Sequence, residues 1–191
     1  MIRQTILIAF LAAVIGCEVK PIHSPTANNP PAATPAATPP EIDLQILDFE
    51  ALQKLIASKK GKVVVVDAWS TSCPPCMKEF PHLVALHKKH NPEDLACISL
   101  SFDYEGIGSP EQTKPKVLDF LKSQGATFDN VLSQDESDVL YRKLELASVP
   151  AVFVYDRDGK LVKRFDNEKA ATEAEAFTYQ QVGELVEQLL Q

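Results

Sequence analysis

Two periods of apolar residues alternate along this chain, and their order predicts the fold class. Ile42, Leu44 and Ile46 alternate with polar neighbours, so Glu41 to Leu47 reads as an opening strand. Asp48 then stands as N-cap to a helix carrying Phe49, Leu52, Leu55 and Ile56 on one face, and Lys59-Lys60-Gly61 ends it with Gly61 as left-handed terminator. Val63 to Ala68 is an almost unbroken apolar run, the pattern of a strand covered by helices on both faces. The helical period returns from Met77 toward His90, where Pro81 is expected to introduce a kink.

The second half repeats the alternation. Leu95–Ser101 reads as a strand and Phe102–Pro115, polar and punctuated by Gly and Pro, as a loop. Lys116–Gln124 is helical with Val117, Phe120 and Leu121 inward and Gly125 closing it. Val131-Leu132 suits a short strand and Asp135–Lys143 a helix. Ala151–Tyr155 and Leu161–Phe165, joined by Asp156-Arg157-Asp158-Gly159, predict a hairpin, and Phe177–Leu190 a closing amphipathic helix. The expected architecture over residues 42–191 is therefore α/β: a central mixed β-sheet flanked by helices on both faces.

Composition separates the termini from this domain. Arg3 precedes the apolar run Ile6–Gly16, which has the length of a signal-peptide core and falls short of the roughly 20 residues of a membrane span. The run ends in Val14-Ile15-Gly16-Cys17, which resembles a bacterial lipobox, so residues 1–17 are expected to be a signal peptide with Cys17 lipidated. Half of the 14 prolines fall between Pro21 and Pro40, among Ala, Thr and Asn. Residues 18–41 are thus expected to form an extended tether, the 20 residues Pro21–Pro40 of it reaching roughly 60 Å at about 3.1 Å per residue. The formal charge of −7, with no basic tract, argues against a nucleic-acid partner.

The chemistry concentrates in Cys73-Pro74-Pro75-Cys76, between the apolar strand and the following helix. A helix N-terminus offers unsatisfied N–H groups and roughly half a positive charge. A thiolate at Cys73 is stabilised there, toward a pKa of roughly 3.5–7.5 from about 8.5. Cys76, one turn on, is expected to be more buried, which makes Cys73 the attacking thiol and Cys76 the resolving thiol. Pro75 suits a first helical turn that needs no N–H, and Pro74 stiffens it. Cys97, in an apolar strand, reads as a small core residue.

Several motifs resemble the thioredoxin-like superfamily, in particular its exported TlpA/ResA-like branch. Val66-Asp67-Ala68-Trp69-Ser70-Thr71-Ser72-Cys73-Pro74-Pro75-Cys76 is similar to V-x-F-W-A-x-W-C-x-x-C, and Cys76-Met77-Lys78-Glu79-Phe80-Pro81 to C-x-x-E-x-P. The stretch from Tyr141 through Val149-Pro150 to Gly159-Lys160 resembles the branch's Y-x-V…P-T…D-x-x-G-K, and Phe102–Asp129 its central insertion. The resemblance implies a thioredoxin fold. It makes Pro150 a cis-proline opposite the dithiol, with the Val149 backbone pairing to a bound substrate chain. It makes Asp67 a buried carboxyl below Cys76 that takes the resolving thiol's proton. Trp69, Ser72, Pro74 and Pro75 would complete the substrate surface. Ser72 departs from the pattern, standing where a second tryptophan is usual, and Ala151 stands where threonine is common.

By the same resemblance the chain would reduce disulfides of exported proteins in the bacterial cell envelope, apocytochrome c among them. A membrane donor would supply electrons, and no cofactor beyond the Cys73–Cys76 disulfide is needed. Two other readings use the same cysteines. An oxidase or isomerase differs only in potential, about 30 mV per 1.4 kcal/mol. A copper carrier would add a histidine from His82, His87 or His90. Zinc lacks a second cysteine pair, and covalent haem is excluded because Met77 follows Cys76.

Overall fold

A computed structural model describes residues 41–191, so Cys17 and the proline-rich stretch lie outside the described residues. The elements run β1 (Gln45–Leu47), α1 (Phe49–Ser58), β2 (Val63–Trp69), α2 (Pro74–Lys89), β3 (Leu95–Ser101), α3 (Pro110–Gln124), β4 (Asp129–Ser133), α4 (Ser137–Lys143), β5 (Ala151–Tyr155), β6 (Leu161–Asp166) and α5 (Tyr179–Leu190). They build one six-stranded mixed sheet in the order β1-β4-β3-β2-β5-β6. The first four strands in that order are mutually parallel, and β5 and β6 are antiparallel to their neighbours, as a hairpin closing a parallel sheet must be.

All seven residues of β2 are buried, and its two-residue period divides the core. Val63, Val65 and Trp69 pack toward α2, α3 and α5, with Phe80, Leu83, Leu121, Val182 and Val186. Val64, Val66 and Ala68 face α1 and α4, through Leu52, Ile56 and Leu140. Asp67 falls in the first set by this alternation, so a carboxyl is built into the apolar layer beneath α2.

The opening helix is capped as expected, Asp48 Oδ1 accepting the Ala51 N–H at 2.8 Å. Helix α2 continues through Pro81, whose ring nitrogen leaves the Met77 carbonyl without a helical donor. One boundary is corrected: α3 begins at Pro110, inside the stretch expected to be loop. Proline is favoured at the first helical position because no N–H is needed there, and Gln112 reaches back to accept the Ser109 N–H at 3.2 Å. Asp135, expected to open α4, lies before it and ties it to α1, accepting the Phe49 N–H and the Lys143 ammonium, both at 2.9 Å.

Candidate active site

Cys73 and Cys76 form a disulfide across the first turn of α2, with an S–S distance of 2.04 Å. The two sulfurs are not equivalent. Cys73 is the N-cap residue and partly exposed, whereas Cys76 is 2% exposed under the helix. The Cys76 N–H points at Cys73 Sγ from 3.2 Å, so a free N–H of the helix terminus is aimed at the outer sulfur. Pro74 and Pro75 occupy the first two helical positions, where neither needs a donor.

Opposite the dithiol, Val149-Pro150 is a cis peptide and the Val149 carbonyl oxygen lies 3.7 Å from Cys73 Sγ. Pro150 is buried and Val149 half-buried. A groove of about 620 Å³ opens on one side, lined by Pro74, Pro75, Lys78, Pro150 and Phe177. A smaller depression of about 260 Å³ opens on the other, lined by Ser72, Cys73, Tyr141 and Val149. Cys73 is thus the accessible sulfur, with backbone beside it and room for a polypeptide on either flank.

The approach to Cys73 is held by a polar clamp. Asp103, with its side chain 2% exposed, accepts the Thr71 N–H through both oxygens at 3.1 and 3.0 Å and the Ser101 hydroxyl at 2.7 Å. The Thr71 hydroxyl also donates to it, and the Lys116 ammonium is 3.6 Å away. Ser72 is exposed, its hydroxyl 2.8 Å from that of Ser70. A serine at this place therefore closes a hydrogen-bonded turn rather than presenting an apolar face.

Asp67 is 3% exposed, and burial pushes its carboxyl up to about 7. A hydrogen bond from the Tyr179 hydroxyl to Oδ2 works against that rise, and the charge of Glu79 adds to it. Cys97, on β3 beside Asp67, is 2% exposed; burial, with the Asp67 charge second, pushes its thiol up to about 12 and leaves it inert near neutrality.

Residues 34–180 match the Redoxin family. The chain belongs to that family. With a Cys73–Cys76 dithiol at a helix start, the chain is a thiol–disulfide oxidoreductase, and its relatives carry that name. The chain is 26% identical over 132 residues to the thiol-disulfide oxidoreductase ResA of Bacillus cereus, covering 69% of this chain and 70% of the relative. Two solved structures share the fold: a putative thiol:disulfide interchange protein DsbE from Chlorobium tepidum (20% identity, TM-score 0.55, 71% of this chain and 85% of that one) and a thiol-disulfide isomerase from Corynebacterium glutamicum (21% identity, TM-score 0.55, 80% and 96%). The sheet of this Redoxin chain is accordingly thioredoxin-like.

Within this Redoxin site one expected role is corrected. Trp69 cannot form part of the substrate surface, because it is 1% exposed. Its ring lies 4.9 Å from Phe80 and 4.8 Å from Phe120, and the latter comes from α3, which roofs it over. Two residues of the site were not read from the sequence. Tyr179 carries only the signal of a helix's first residue, and Asp103 that of a polar residue after a strand. The histidines are scattered: His82 stacks on Tyr179, His87 packs on Phe128, and His90 lies 3.4 Å from Glu187 Oε1. Among the described residues no three His, Cys, Asp or Glu side chains gather as a metal site.

Proposed function

We propose that this chain is an exported, membrane-tethered enzyme that reduces disulfides of exported proteins through Cys73 and Cys76, with Asp67 as the acceptor of the Cys76 proton. The observation carrying this reading is the inequality of the two sulfurs: Cys73 partly exposed at a helix N-terminus beside the Val149 backbone, Cys76 buried behind it. In the reduced protein the Cys73 thiolate attacks one sulfur of a substrate disulfide. A Cys73–substrate S–S bond forms and the other substrate sulfur leaves with the electron pair. Cys76 then gives its proton to Asp67 and attacks Cys73 Sγ, which releases the second substrate thiolate and closes Cys73–Cys76. Two electrons have passed to the substrate. The Val149 backbone beside Cys73 supports pairing with an extended substrate segment as an added strand, and Ser72, Pro74 and Pro75 form the rim that segment crosses.

Export and tethering are supported by the Arg3-to-Cys17 pattern and the proline-rich stretch, with Cys17 read as the lipid attachment and the domain as lying on the extracytoplasmic side of a bacterial envelope. Among the described residues no helix is long and apolar enough to cross a membrane. Substrates are exported cysteine-pair proteins, apocytochrome c being one whose haem-attachment thiols must be reduced, and a membrane donor returns the dithiol to its reduced state. Equilibration against glutathione and dithiothreitol is expected to place the couple below roughly −200 mV, whereas a value near −120 mV would assign the chain to the oxidases. Cys76→Ser is expected to accumulate mixed disulfides at Cys73 in envelope extracts, and Cys73→Ser to accumulate none.

A further inference from the structure

Asp67 is gripped from one side only. Its Oδ2 accepts the Tyr179 hydroxyl, while among the described residues no hydrogen bond reaches Oδ1. Tyr179 is itself tightly placed. It is the first residue of α5, 8% exposed, and the Thr178 N-cap hydroxyl accepts the Gln181 N–H at 3.4 Å to fix the helix start. Its ring stacks on His82 of α2 at 5.8 Å, and the His82 imidazole lies 3.8 Å from Glu79. The ring therefore has little freedom to swing, and the direction of its hydroxyl is set by two helices.

We propose that Tyr179 is a positioning residue of thiol–disulfide exchange: its hydroxyl holds Oδ2 of Asp67 so that Oδ1 is the oxygen presented to the Cys76 thiol. This rests on the reading of Asp67 as proton acceptor. In the resolving step the Cys76 proton passes to Oδ1 as the new S–S bond to Cys73 forms and the substrate sulfur leaves with its electron pair. The groups that face Asp67 from the packed elements are few. Glu79 comes from α2, Tyr179 from α5 and Cys97 from β3, while β5 places apolar Val152 opposite it in the sheet. Among the described residues Tyr179 supplies the one side-chain hydrogen bond that favours the ionised carboxyl, against burial and the Glu79 charge. Without it the carboxyl would hold its proton to higher pH and the resolving step would need more alkaline solution.

Tyr179→Phe keeps the ring, its stacking and its burial, and removes only the hydroxyl. Two measurements test it beside Asp67→Asn: carbon NMR titration of the Asp67 carboxyl in the oxidised protein, and the pH dependence of peptide release from its mixed disulfide with Cys73. The expected result for Tyr179→Phe is a rise of about one pH unit, tenfold in proton affinity, in both midpoints. Asp67→Asn is expected to abolish the inflection in release. If Asp67→Asn abolishes it but Tyr179→Phe leaves both midpoints unmoved, the role of Tyr179 is overturned and that of Asp67 stands. A release profile that Asp67→Asn does not alter overturns both.

Discussion

Asp67 is an acid kept in an apolar layer, and its cost is visible in pH dependence. Its folded affinity for a proton, about 7, exceeds the ordinary 3.8 because of burial. The folded protein thus holds a proton that the unfolded chain has released between roughly pH 4 and 7. The resulting stability is fully present below about pH 4 and is lost as pH rises through 7. Asp67→Asn should erase that slope. In urea unfolding at pH 8 the oxidised variant is expected to be more stable than the parent, by up to about 4 kcal/mol from three units at ~1.4 each. Equal stability at pH 8 would show that the carboxyl ionises without penalty. The proposed transfer of the Cys76 proton to Asp67 would supply a physical reason for keeping a residue that weakens the fold at working pH.

At the scale of elements, the site is a joint between β2 and α2, and neighbouring elements set its walls. Helix α3 covers Trp69 with Phe120 and brings Lys116 to the Asp103 clamp, so its length and ending matter to the site. Gly125 ends α3 in a left-handed conformation, φ 65°, where its N–H meets the Leu121 and Lys122 carbonyls. An added Cβ would meet only the end of Lys88, at 4.0 Å, so Gly125→Ala pays for backbone conformation alone. The expected loss is about 1 kcal/mol in thermal unfolding, with alkylation of Cys73 unchanged. Within the helix that carries the dithiol, Phe80 is fully buried between Trp69, Phe120 and Phe128. Phe80→Ala should cost about 3–5 kcal/mol by urea titration, since the three rings around it cannot collapse into the space left.

For the whole molecule, the sheet order puts β2 at the centre, with β3 on one side and β5 on the other. That single fact brings the dithiol at the end of β2 against the loop that enters β5 at Val149 and Pro150. The proposed tether, the proline-rich stretch before residue 41, lies outside the described residues and is tested in cells. Removing residues 18–40 while keeping Cys17 is expected to leave disulfide reduction by the purified protein unchanged and to lower the reduced fraction of envelope substrates in cells. Unchanged substrate redox state in cells would sink the tether's role.

What could be read from the chain alone was local. Alternation and helical spacing marked the elements, and β3 and the hairpin fell where the pattern put them, because strand and turn preferences act over a few residues. The Cys73–Cys76 pair was legible for the same reason: one helical turn decides both the pairing and which sulfur is outermost. Pro110 marks where this failed, since a proline that starts a helix and one that breaks a strand look alike in sequence. The Tyr179–Asp67 bond joins residues 112 apart, and the roof over Trp69 comes from a helix some 50 positions on. No period or spacing encodes such contacts. They follow from which helix settles on which face of the sheet, and burial, which makes Asp67 hold its proton and hides Trp69 from substrate, exists only once those faces have met.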